Sequence, residues 1–287
     1  MTIQIKPTGC AVGAEVIGAD LTKPIPDADF ATIRDAFYTH EVLFFRGQEL
    51  SDDDQIRFSA RFGPLRKIKL TNVLHTQHPE IMVVSNIKKD GKYIGAYDAG
   101  VFWHTDGAYL PNPHAISALR ALIVPAVNDK VLGDTKFVSV SAAYNALSDS
   151  MKKRIDGLQA VQSIMHRLKQ TQDAGIKKDY GEAVKAEPEA THPVVRVHPV
   201  SGRKCLYVTQ GYTSRILGLP EAESQELIEE LTSHCIKPEF QYRHNWRQHD
   251  LVMWDDCATQ HQATFDYPES TPRLMHRTTV VAQGTAA

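Results

Sequence analysis

Three side chains of this sequence are of types that bind metal ions, and their spacing suggests that they act together. Within "VFWHTDGAY" (101–109), His104 and Asp106 stand two positions apart. If this stretch is extended, residues i and i+2 point to one face, so the imidazole and carboxylate project together while Trp103 and Thr105 point away. A third ligand must come from elsewhere, and His261 in "WDDCATQHQATFDY" is the best candidate because it follows the apolar strand "DLVMWD". Two histidines and a carboxylate on one side of a metal leave its other side open, the arrangement of non-haem Fe(II) oxygenases; the donor mixture also admits Zn or Mn. The competing reading is a chance pair among thirteen histidines. His114, His198, His244 and His249 read as surface or satisfied core residues.

A second pattern lies close behind. Arg273 and Arg277 in "PRLMHRTTV" are four residues apart, on one face of either a strand or a helix, and "TTVVA" favours a strand. A guanidinium fork grips a carboxylate through two hydrogen bonds and stays charged at any working pH. Two of them beside a metal imply small anionic ligands. The alternative is a surface pair neutralised by Asp255, Asp256 or Asp266.

These groups can meet only if distant segments are brought together. "FATIRDAFYTH" (30–40) has helical spacing after "PDAD", "EVLFFRGQ" (41–48) reads as a buried strand, and "SDDDQIRFSARFG" (51–63) as a capped helix. "EIMVVSN" (80–86) is another strand. From residue 100 onward β-type segments dominate, at 115–124, 135–140, 192–199, 204–210, 250–255 and 277–282, with helices at 141–156 and 220–234. Short strands bounded by turn residues argue a sandwich or barrel rather than a wound parallel sheet. The polar stretch 167–190, within an insertion of approximately 164–192, reads as a solvated surface segment, with a lid over a pocket as the functional alternative.

Composition narrows the class of protein. The 287 residues carry a net charge of -2 with no basic block, which argues against a nucleic-acid partner. The four cysteines have no metal-knuckle spacing and read as reduced thiols. No leader and no apolar run of membrane-spanning length is evident, so the expectation is a cytoplasmic protein with no membrane partner.

With these residues in view, the chain resembles the taurine dioxygenase (TauD/TfdA) family of Fe(II)- and 2-oxoglutarate-dependent oxygenases. The resemblance runs from "GAEVIGADLTKP" (13–24) and "VLFFRGQELSDDDQIRFSARFGPL" (42–65) through "WHTDGAYLPNP", "GDTKFVSVSAAYNAL" and "DLVMWDDCATQHQA" to "RLMHRTTV". It implies a single domain over 1–287, mainly β with surrounding helices, built on a double-stranded β-helix (jelly-roll) core. It implies Fe(II) on His104, Asp106 and His261, and 2-oxoglutarate as cosubstrate gripped by Arg273 with help from Thr135. Arg277 would stand near the metal and meet the substrate's anionic group or the cosubstrate. With O2, such a centre hydroxylates a C–H bond and releases succinate and CO2; desaturation or multi-step oxidation at the same centre is the alternative. Less favoured are a zinc hydrolase and a metal-dependent small-acid binding protein without turnover. The presence of Asp106 implies oxygenation rather than halogenation, and self-association is a further expectation by resemblance.

The departures from the family concern specificity. The turn before Thr135 is longer than usual, and "WDD" places Asp256 where "WDN" is commoner. Ile68 stands where a sulfonate-contacting histidine is expected, and Gly100 where an asparagine is. Taurine is therefore not the expected substrate. Val101, Phe102, Tyr109 and Tyr212 are expected to line an apolar pocket for a small organic acid, with Lys67 and Lys69 as solvated lysines.

Overall fold

The computed structural model describes residues 2–68, 73, 75–173, 175 and 188–282. Its larger sheet has seven strands: β1 (Gln4–Pro7), β2 (Ala14–Ile17), β3 (Val42–Phe45), β4 (Met82–Ser85), β5 (His114–Ile123), and two from the far end of the chain. Smaller sheets follow, with β6 (Thr135–Ser139), β7 (Gln159–Gln162), β8 (Ala190–Pro193), the short pair β9 (Val195–Val197) and β10 (Lys204–Leu206), and β11 (Thr213–Ile216). Last come β12 (Gln241–His244), β13 (Leu251–Asp255), β14 (Thr259–Ala263) and β15 (Leu274–Val281). The large sheet runs β1-β2-β3-β13-β5-β15-β4, and a smaller one runs β12-β6-β14.

The two sheets face each other, as a jelly-roll core requires. Val42, Phe44, Leu119, Val252, Trp254 and Met275 of the large sheet pack with Phe137 of the small sheet and with Trp246 in one buried cluster. The opposite face of the large sheet is covered by helices α1 (Asp27–His40) and α2 (Asp52–Ala60), through Phe30, Ile33, Phe37 and Phe58. Spacings of three and four residues put the three α1 side chains on one stripe. The Ser51–Asp54 capping box starts α2.

Strand alternation decides which side chains reach the space between the sheets. On β15, Met275 joins the inter-sheet cluster while Val280 joins the helix side, so Arg277 shares the inner face with Met275, and Arg273, just before the strand, lines the same space. On β5, Ser117 and Leu119 face inward, whereas Ile116 and Ala118 face the helices.

Some expected elements break where one segment serves two partners. The strand expected at 192–199 divides at Val194, whose N–H goes to Leu158: β8 pairs with β7, and β9 pairs with β10. The helix expected at 141–156 is two, α3 (Val140–Asn145) and α4 (Asp149–Ile155), because Ser148 caps a new start. The long turn before Thr135 is a hairpin pairing 126–127 with 130–131. The insertion is not a purely solvated segment, since its first part is helix α5 (Ile164–Asp173), with Ile164, Arg167, Leu168 and Thr171 buried on one face. Residues 174 and 176–187, the rest of the lid reading, lie outside the described residues. Helix α6 (Glu221–Cys235) covers the far end of the core through Leu227, Ile228 and Leu231. Among the described residues no helix is long and apolar enough to cross a membrane.

Candidate active site

The segment carrying His104 is pinned to the small sheet by a single bridge. His104 N–H donates to the His261 carbonyl (3.2 Å) and His261 N–H to the His104 carbonyl (2.9 Å). This exchange sets the two imidazoles side by side, ring centres 4.2 Å apart. His261 lies in the middle of β14, opposite Phe137, rather than at a strand end. After His104 the chain turns instead of continuing as a strand. Even so, Trp103 goes to a separate core and the Thr105 hydroxyl donates to the Thr259 carbonyl, so both point away as expected. Gly107 permits the turn: its φ is +67°, and a Cβ there would stand 2.8 Å from the His114 ring.

The three donor groups converge. His104 Nε2 is 3.7 Å from Asp106 Oδ1, His261 Nε2 is 3.9 Å from Asp106 Oδ2, and the candidate ligand atoms all lie within 4.8 Å of one another. His104 Nδ1 faces the Phe102 carbonyl at 2.8 Å, so it carries the proton and leaves the Nε2 lone pair for a metal. Burial, followed by the neighbouring His104, holds His261 well below the ordinary imidazole range, which keeps it a neutral ligand. Burial alone would raise Asp106; Arg277, with His104 and His261, outweighs it and keeps the carboxylate ionised. Two imidazoles and one carboxylate, buried and convergent, fit a divalent metal.

Behind Asp106 sits a small polar network. Arg277 Nη1 donates to Asp106 Oδ1 at 2.7 Å. The Ser117 hydroxyl is 2.9 Å from Asp106 Oδ2 and 2.9 Å from Asp256 Oδ2, and Trp254 Nε1 donates to Asp256 Oδ1. One hydroxyl has one proton, so it cannot donate to both carboxyls. Burial, then the Asp106 charge, pushes Asp256 well above the usual carboxylate range. A neutral Asp256 donates to Ser117, which donates to Asp106. The acid thus does what the amide of the commoner asparagine would do.

Arg273 is 6% exposed, and no carboxylate pairs with it among the described residues. The surface ion pair considered for the two arginines is therefore not what forms: Arg277 meets Asp106, and Arg273 meets none of Asp255, Asp256 or Asp266. Thr135 accepts a hydrogen bond from Trp246 Nε1 (3.0 Å), which leaves its own proton to donate. Both Arg273 and Thr135 line a cavity of about 210 Å³ that also reaches His104, Asp106 and His261.

Tyr109 and Tyr212 line this cavity as expected, with ring centres 5.2 Å apart. Val101 and Phe102 do not. They are half-buried beside it, their carbonyls taken by Gln262 and His104, and Gly100 lines the wall instead. Gly100 has φ +90°, and a Cβ there would come 3.1 Å from the Ala263 backbone nitrogen, so an asparagine is strained at this position. Ile68 is not part of the lining. Lys67 is exposed and Lys69 lies outside the described residues.

Two further lining residues were not anticipated. Of the two readings of His114, surface or core, the buried one holds, but its ring also opens on the cavity and faces Arg66 Nη1 at 2.9 Å; burial pushes its pKa down to about 3, so it is neutral. Arg167 enters from α5. Neither sits in a motif, and the signal for Arg167 was only its position among Ile164, Leu168 and Thr171 on a helical stripe. A second group of metal-binding residue types, Asp52, His75 and His78, lies apart from the cavity. Its carboxylate is already engaged by Arg120, His276 and His75.

Residues 4–279 match the family model described as taurine catabolism dioxygenase TauD, TfdA family, and the chain belongs to that family. It is 33% identical over 271 aligned positions to pentalenolactone F synthase of Streptomyces arenae, spanning 91% of this chain and 90% of that one. It is also 33% identical to the alpha-ketoglutarate-dependent 2,4-dichlorophenoxyacetate dioxygenase of Cupriavidus pinatubonensis, over 98% of both. A crystal structure of AAD-2 in complex with Mn(II) and N-oxalylglycine superposes with a TM-score of 0.84 at 30% identity, covering 99% of this chain and 98% of that one. The protein is an alpha-ketoglutarate-dependent dioxygenase that uses Fe(II), 2-oxoglutarate and O2 on a small-molecule substrate.

Proposed function

We propose that this enzyme hydroxylates a C–H bond of a small, partly apolar organic acid, with His104, Asp106 and His261 holding the iron. Arg273 and Thr135 bind the far carboxylate of 2-oxoglutarate, the arginine by charge and the hydroxyl by a donated hydrogen bond. The observation that carries this reading is a buried guanidinium with no carboxylate, opening into the same cavity as three convergent metal donors. With iron and keto acid bound, the centre supplies oxidative decarboxylation to succinate and CO2, coupled to oxygen transfer to the substrate.

The chain's own residues do the positioning. Arg277 holds Asp106 ionised and oriented, and Ser117 with neutral Asp256 fixes its second oxygen. Met82, Val84, Tyr109 and Tyr212 give the substrate an apolar wall and keep water from the reacting carbon. Helix α5 closes one side of the cavity through Ile164 and Arg167. Gly100, at a position where an asparagine would be strained, and the absence of Ile68 from the wall speak against taurine. The two relatives, named as a 2,4-dichlorophenoxyacetate dioxygenase and a pentalenolactone F synthase, support a bulkier apolar body.

A panel of small acids scored by succinate release tests the proposal, with product mass distinguishing hydroxylation from desaturation. Succinate release that no acid stimulates above the uncoupled background would sink the substrate assignment. Release without 2-oxoglutarate dependence would sink the whole reading.

A further inference from the structure

The third arginine of the cavity has no role in the reading above. Arg167 is 6% exposed and lies in the buried stripe of α5, between Ile164 and Leu168, which pack with Ala108, Tyr207 and Tyr212. A leucine would suit that stripe. A guanidinium there must be stripped of water, which is unfavourable unless something pairs with it. Among the described residues no carboxylate does. Its Nη1 has no hydrogen-bond partner, and its Nη2 reaches only the Asp98 backbone carbonyl, at 3.5 Å. The other two arginines are accounted for: Arg277 by Asp106, and Arg273, under the proposed function, by the keto acid.

We infer that Arg167 is the anchor for the substrate's own anionic group, a monoanionic oxyacid such as a carboxylate or sulfate carried on an apolar body. The inference rests on the proposed function and adds to it the residue that selects for charge. The geometry sets the substrate's length. The guanidinium carbon of Arg167 is 5.8 Å from the Tyr212 ring centre, and that ring is 6.0 Å from the His104 ring. Arg167 and His104 thus both stand beside Tyr212, no more than about 12 Å apart. A substrate held at Arg167 and lying along Tyr212 reaches toward the metal-facing histidine within that span. A planar fork also favours two-oxygen recognition, so lysine replaces it poorly.

The test compares wild type, Arg167→Gln and Arg167→Lys, each loaded with Zn(II) and 2-oxoglutarate so that no turnover occurs. Calorimetry measures binding of phenoxyacetate, hexyl sulfate and neutral phenoxyacetamide. Wild type should bind at least one anion about tenfold or more tighter than the amide, and the better anion identifies the oxyacid class. Arg167→Gln should weaken that anion roughly thirtyfold while changing the amide less than about threefold, and Arg167→Lys should fall between. Affinity for 2-oxoglutarate, titrated separately, should be the same in all three. Equal losses for anion and amide would make Arg167 a packing residue, and an undiminished anion affinity or no anion binding by wild type would equally overturn the inference. If the Zn(II) form of wild type fails to bind 2-oxoglutarate, the proposed function itself falls and takes this inference with it.

Discussion

Replacing Arg273 with methionine should move stability and function in opposite directions. The guanidinium is buried, and burial lowers its pKa because no carboxylate offsets the lost hydration. An apolar side chain of similar length removes that penalty, so the metal-free, keto-acid-free protein should gain about 1–3 kcal/mol. The same change deletes the proposed charged partner of the keto acid. Truncating one side of a buried, hydrogen-bonded charge pair costs about 3 kcal/mol, or roughly 150-fold in affinity. Linkage sharpens the contrast. At a 2-oxoglutarate concentration about 100 times the wild-type dissociation constant, the ligand stabilises wild type by about 2.7 kcal/mol and the variant by only about 0.3 kcal/mol. Denaturant unfolding with and without 2-oxoglutarate, on the Zn(II)-loaded and metal-free proteins, reads all of these quantities. A variant that binds 2-oxoglutarate as tightly as wild type refutes the assignment of Arg273. A large loss of stability without ligand refutes the claim that its charge is uncompensated.

Three other perturbations test neighbouring parts of the site and core. His104→Ala removes one of the three proposed ligands and should abolish turnover and weaken metal binding at least tenfold; retained activity would place the metal elsewhere. Asp256→Asn keeps a donor to Ser117 and an acceptor for Trp254, so kcat/KM should stay within about threefold, whereas Asp256→Val strands two buried partners and should lower stability by about 2–5 kcal/mol in thermal unfolding. Glu41 has its pKa raised from 4.5 to about 6, chiefly by burial. The folded state therefore binds more protons than the unfolded state between those values, and stability falls as pH rises through that window by about 2 kcal/mol. Urea unfolding of wild type and Glu41→Gln at pH 4.5 and 7 should show their difference shifting by that amount against wild type; an unchanged difference would mean that Glu41 titrates normally.

Under the proposed function, selectivity against taurine-like substrates would follow from backbone geometry as much as from side chains. Gly100 occupies a left-handed conformation pressed against Ala263, so the wall there is bare backbone.

Much of this protein was legible in the order of its residues, because the relevant physics is local. The HxD spacing, the Ser51–Asp54 cap, the stripe of α1 and the two arginines four apart all express periods of 2 or 3.6 that each segment carries by itself. The motifs together identified the family and the fold. Other features needed the register between distant strands. Whether His104 faces His261 depends on one bridge, and whether Arg277 meets Asp106 rather than solvent depends on the face that β15 turns inward. The neutrality of Asp256, the burial of His114 and the unpaired charge of Arg167 are properties of an enclosed space. Only the packing of two sheets and a helix creates that low-dielectric interior, because desolvation and ion pairing depend on what surrounds a group in three dimensions and not on its neighbours along the chain.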